Sequence, residues 1–213
     1  ASEFAYFTHQ QAWNYAAKGP VGNEANKLSS ANRKLLLRRN TYARPIWRTK
    51  PQILQYLTDH KHWVNAVAVT TNGKMALTGS SDLTCILWDL TSGKSLQTLK
   101  GHTGGIYSVA ITPDGERAIS GSADKNCILW DLATGKALLT LIGHTEDVNS
   151  VAITPDGRKA ISGSSDNTCI IWDLTTGESI HILKGHTFWI TSVAITSNGE
   201  KALTGSSDKT CIL

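Results

Sequence analysis

His60, His102, His144 and His186 stand 42 residues apart, and Cys85, Cys127, Cys169 and Cys211 keep the same interval, as do Trp88, Trp130 and Trp172. No other feature constrains the fold as tightly. A fixed period of this length, holding several short apolar runs, marks a chain built from repeated supersecondary units. None of these can cover its apolar faces alone, so the units must stack. Function in such an array resides in the surface the stack presents, which turns the expectation away from catalysis.

One period shows how the unit is built. In residues 101–142, Ile106 to Ile111 reads as a strand and Thr112-Pro113-Asp114-Gly115 as a tight turn, with Pro pre-setting one dihedral and Asp-Gly tolerating positive φ. Ala118 to Gly121 forms a second strand, Ser122-Ala123-Asp124-Lys125 turns, and Cys127 to Trp130 forms a third. After Thr134-Gly135-Lys136, Ala137 to Leu141 forms a fourth and leads into Gly143-His144. Four short strands make an antiparallel sheet too small to bury both faces unaided. Near-continuous apolar runs in the first and third strands fit a sheet covered on both sides.

Gly101-His102, Pro113-Asp114-Gly115, Ser120-Gly121-Ser122, Asp124 and Trp130-Asp131 resemble the WD40 repeat family, with bacterial-type, highly similar tandem repeats. Gly143-His144 through Trp172-Asp173 repeats the pattern, and Asp59-His60 through Trp88-Asp89 follows it less fully. The two central units agree at 25 of 42 positions. The resemblance covers about residues 52–213 and implies an all-β fold of β-propeller blades around a central channel.

It also implies that the Trp donates to a strand hydroxyl, which engages the His, which engages a turn Asp. Carried over by position, the sets are His60-Thr78-Asp82-Trp88, His102-Ser120-Asp124-Trp130, His144-Ser162-Asp166-Trp172 and His186-Thr204-Asp208, the last without its Trp. Ser, His and Asp also build hydrolase triads, but an enzyme needs one set with an exposed hydroxyl. A set in every repeat, each tied to a Trp where one is present, reads as structure, so no catalytic residue, cofactor or metal is expected.

Net charge is +4 over 213 residues, and it is unevenly placed: residues 1–51 carry nine Lys/Arg against Glu3 and Glu24, and residues 52–213 carry twelve against fifteen Asp/Glu. No apolar run approaches the roughly 18 residues of a membrane span, and no targeting segment is visible. Each Cys sits in an apolar run at an equivalent place. This spacing predicts small buried hydrophobes in a reducing, cytoplasmic compartment, not disulfides.

The chain divides into a basic helical segment and linker, 1–50, and the blades, 51–213. Phe4 to Lys18 and a second run near Ser29 to Arg39 read as helices, followed by an extended Pro-containing linker. Arg33, Lys34, Arg38, Arg39, Arg44, Arg48 and Lys50, with Tyr42 and Trp47, make residues 27–50 a candidate for nucleic acid or an acidic partner. A helical piece ahead of such repeats also resembles multidomain signalling ATPases of the STAND type, although no phosphate-binding loop is present.

Pro51 to Leu57 aligns with a fourth strand, and residues 186–213 supply three strands that lack one, so the first strand is expected to complete the last blade. The chain stops at Cys211-Ile212-Leu213, where other repeats place Trp-Asp, and reads as a fragment. Rings of this family usually have seven blades of about 51° each, whereas four would need about 90°. An incomplete ring is therefore expected, with self-association of two chains as a second route to closure.

The residues after each His vary most: Lys61-His62-Trp63, Thr103-Gly104-Gly105, Thr145-Glu146-Asp147 and Thr187-Phe188-Trp189. Invariant scaffold with variable loops is how repeat proteins acquire specificity. His62, Trp63, Tyr107, Glu146, Asp147, Phe188 and Trp189 are the candidate protein-partner residues of a non-catalytic interaction scaffold or sensor.

Overall fold

Strand follows strand here because each apolar run is short and each turn carries a residue that accepts positive φ. The computed structural model describes residues 55–213. The chain divides into two units, Ala1–Tyr56 and Leu57–Leu213. The expectations for residues 1–50, helices, linker, nucleic-acid contact and STAND-type context alike, lie outside the described residues.

Four antiparallel sheets run in chain order. The first blade holds β1 (Val64–Val69), β2 (Met75–Ser80), β3 (Thr84–Asp89) and β4 (Lys94–Lys100). The second holds β5 (Ile106–Ile111), β6 (Arg117–Ser122), β7 (Cys127–Asp131) and β8 (Ala137–Leu141). The third holds β9 (Val148–Ile153), β10 (Lys159–Ser164), β11 (Thr168–Asp173) and β12 (Ser179–Lys184). The fourth has three strands, β13 (Ile190–Ile195), β14 (Ala202–Ser206) and β15 (Cys211–Ile212). No helix occurs among the described residues.

Turn chemistry sets the repeat. The first turn of each blade holds Gly73, Gly115, Gly157 or Gly199 at φ 67–76°. The second holds a non-glycine residue, Leu83, Lys125, Asn167 or Lys209, at φ 70–72°. A side chain in that region carries strain, and it is held there by the preceding Asp82, Asp124, Asp166 or Asp208, whose carboxylate accepts the N–H of the residue that follows, Thr84, Asn126, Thr168 or Thr210, at 2.8–3.1 Å.

The blades pack face to face. Leu77, Cys85, Leu87 and Leu99 of the first blade form one core with Ile106, Val109, Ile128, Trp130 and Leu132 of the second. Ile119, Cys127, Leu129 and Leu141 meet Val148, Val151, Ile170, Trp172 and Leu174 in the same way, and Ile161 and Cys169 meet Ile190 and Val193. Glycine sits at the closest approach. A Cβ on Gly79 would stand 2.6 Å from Ile106, on Gly121 2.7 Å from Val148, and on Gly163 2.5 Å from Ile190.

The ring is not closed. Val64 and Val67 of the first blade are 48 % and 58 % exposed, whereas their equivalents Ile106 and Val109 are 0 % and 8 % exposed. At the other end Leu203 is 46 % exposed and a Cβ on Gly205 would meet nothing nearer than 4.0 Å. The expected completion of the last blade by Pro51 to Leu57 is not seen in the described part of that run. Residues 55–57 form no strand, and Tyr56 and Leu57 are exposed.

Candidate functional site

Each blade brings His, hydroxyl, Asp and, in the first three, Trp into one connected chain. Trp88 Nε1 donates to Thr78 Oγ1 at 2.8 Å, and Trp130 and Trp172 Nε1 donate to Ser120 and Ser162 Oγ at 2.7 Å. The same hydroxyls lie 2.7 Å from Nε2 of His60, His102 and His144, and Thr204 lies 2.9 Å from His186 Nε2. Nδ1 of each His stands 2.7–2.8 Å from the carboxylate of Asp82, Asp124, Asp166 or Asp208.

Donor chemistry orients the chain. An indole N–H only donates and a carboxylate only accepts, so in a neutral imidazole Nδ1–H donates to the Asp and the hydroxyl donates to Nε2. Burial lowers the His102 and His144 pKa values, partly offset by Asp124 and Asp166, and so favours the neutral tautomer this requires. Burial alone would raise the Asp82, Asp124 and Asp166 carboxyls, but the hydrogen bonds they accept hold them below the usual range.

Those acceptances reach the variable loops. The carboxylates accept the backbone N–H of Lys61, Thr103, Thr145 and Thr187, the first residue of each loop, at 2.8–3.0 Å. Ser80, Ser122, Ser164 and Ser206 donate to the carbonyls of His62, Gly104, Glu146 and Phe188. The carbonyls of Trp63, Gly105, Asp147 and Trp189 accept the N–H of Ser81, Ala123, Ser165 and Ser207. Three successive backbone groups are thus pinned in every loop. The serine series keeps the 42-residue interval, so its signal lay in the sequence, but its partners are main-chain atoms that no spacing reveals.

Ser120 and Ser162 are 0 % exposed, and each hydroxyl is already engaged by a Trp and a His, so neither can receive a substrate. Among the described residues no three His, Cys, Asp or Glu side chains gather closely enough to hold a metal ion. Cys85, Cys127 and Cys169 are free and buried; desolvation pushes the thiols of Cys127 and Cys169 up to about 12. Cys211 is free but exposed, contrary to the expectation of burial, because no blade covers its face.

Of the candidate partner residues, Tyr107, Glu146, Asp147 and Trp189 line one open groove of about 570 Å³ together with Asn149 and Ser165. It spans loops of the second, third and fourth blades. Phe188 packs on Trp189 with ring centroids 5.0 Å apart. His62 and Trp63 form a separate pair on the first blade, also 5.0 Å apart, outside the groove. Asn149 was missed by sequence reasoning. Its Nδ2 donates to Ser165 Oγ and to the Ile190 carbonyl, tying the third blade to the fourth, as Asn65 does with Ser81 and Ile106.

The family model described as "WD domain, G-beta repeat" matches residues 51–89, 93–131, 135–173 and 177–213. The chain belongs to the WD40 repeat family. A pre-mRNA-splicing factor PRP46 from Yarrowia lipolytica is 37 % identical over 54 residues, 25 % of this chain and 12 % of the relative. Pleiotropic regulator 1 from Bos taurus is 31 % identical over 77 residues, 35 % of this chain and 15 % of its own length. Small ribosomal subunit protein RACK1y from Oryza sativa subsp. japonica is 42 % identical over 52 residues, 24 % of this chain and 16 % of its own length. The matched stretch is thus a small part of each of these WD40 proteins.

Proposed function

We propose that this WD40 chain is a non-catalytic interaction module that presents its variable loops to a protein partner. One observation carries the reading: each loop backbone is pinned at three consecutive residues, while the loop aromatics Trp63 and Trp189 stand 76 % and 52 % exposed. Large exposed aromatics on a pre-organised backbone bind at low entropic cost. Two relatives carry the names of a splicing factor and a ribosomal subunit protein, which supports a scaffold role. The three buried free thiols favour a reducing, cytoplasmic setting.

Replacing Trp63 or Trp189 by Ala is expected to weaken capture of the partner by about tenfold or more, with the melting temperature unchanged. Collapse of the melting transition in either variant would make these residues packing elements and remove the reading.

A second association is favoured by the end faces. Val64, Val67 and Leu90 are exposed where the equivalent residues of later blades pack on their neighbours, and Leu203 and Gly205 leave open the complementary surface. The surface that fits both is another blade of the same kind, which a second copy of the chain supplies.

A further inference from the structure

The groove between the second, third and fourth blades has a specific chemistry. Tyr107 and Trp189, 39 % and 52 % exposed, supply two aromatic walls, and Glu146 and Asp147 supply two carboxylates. Among the described residues the Glu146 carboxylate is held only by an exposed pairing with Lys125 at 3.6 Å. The half-buried Asp147 carboxylate has neither hydrogen bond nor ion pair among the described residues, although the backbone on either side of it is fixed.

Comparison between blades shows that this corner departs from the scaffold. At the position of Tyr107 the first and third blades carry Asn65 and Asn149, whose amides bridge to Ser81 and Ser165 and to the next blade. The second blade replaces both ends of that bridge, with Tyr107 for Asn and Ala123 for Ser. A stabilising seam contact is given up, and a phenol ring whose hydroxyl has no hydrogen bond among the described residues stands in the groove instead. Packing does not require this exchange, since the neighbouring seams do without it.

We propose that this groove takes the lysine or arginine side chain of a partner's peptide segment. The assignment rests on the interaction reading above and names the chemistry of the partner. Aromatic faces attract cations through their quadrupole and accept the apolar stems of Lys and Arg. The carboxylates complete the charge, and a charge-assisted bond to a fixed Asp exceeds a neutral one. A neutral or acidic segment would instead desolvate Asp147 without a partner, which is unfavourable.

The test uses the full chain and immobilised pools of short peptides, randomised except for a central Arg, Lys, Leu or Glu, with Trp fluorescence on the selected sequences. The Arg and Lys pools are expected to be retained over Leu and Glu. Asp147→Asn should weaken them about tenfold and abolish the preference without moving the melting temperature, and Trp189→Ala should weaken every pool. Equal retention of all pools, still sensitive to Trp189→Ala, would overturn the cation assignment and leave the interaction reading standing. Retention insensitive to both Tyr107→Ala and Trp189→Ala, or no retention of any pool, would remove the groove as a peptide site and count against that reading as well.

Discussion

At the residue scale, the buried His, hydroxyl and Asp chains make the fold sensitive to acid in two steps. His102 and His144 are kept neutral by burial, so the unfolded chain binds protons first as pH falls below about 6.5. Native stability contributed by these groups is present above that pH and lost below it. The carboxyls of Asp82, Asp124 and Asp166 are held below the usual range, so their contribution is present above about 4 and disappears through more acidic pH. Thermal melts should therefore be flat between about pH 7 and 8, decline towards pH 4 and fall more steeply beyond; above about pH 9 they decline again, because the thiols ionise in the unfolded chain but not in buried Cys127 and Cys169. A melting temperature that rises between neutral and mildly acidic pH would contradict the neutral-His arrangement. Much of this was legible in the sequence, because His, hydroxyl, Asp and Trp share one interval. The burial that sets the proton positions was not, since it depends on neighbours from other repeats.

Between elements, the seam is the unit of stability, and glycine controls it. Gly121→Ala would place a methyl 2.7 Å from Val148 and 3.0 Å from Val151, so the blades must part or repack. A loss of about 1–3 kcal/mol in chemical denaturation is expected. Gly205→Ala, at the same place in the fourth blade, has open space around it and should shift stability by less than about 0.5 kcal/mol. Equal losses would mean that strand conformation, not the approach of the next blade, selects glycine there. Strand placement was legible to within a residue or two, as with Ala137–Leu141, because turn residues bound each run. The groove was not, because Tyr107, Asp147 and Trp189 come from three different repeats and meet only through blade stacking.

For the molecule as a whole, the four equivalent cysteines report on the open end. In the dispersed native chain a thiol reagent should modify Cys211 rapidly and leave Cys85, Cys127 and Cys169 untouched until unfolding, as their burial dictates. Rapid modification of the three buried thiols would show that the seams open readily. If second copies seat their first blade on the fourth, Cys211 becomes protected as concentration rises, in step with doubling of the mass. Protection that never appears at any concentration would remove the association.

The recurrence of the same contact at every seam has a consequence for how such a chain can change. Because Gly79, Gly121 and Gly163 receive Ile106, Val148 and Ile190 alike, either neighbour of a blade would accept any other blade in its place. Gain or loss of one whole period leaves the apolar core of every junction intact, whereas a shift of a few residues breaks them all. Length in this protein is therefore free to vary by duplication and deletion in steps of a single blade, and is tightly held at any finer step.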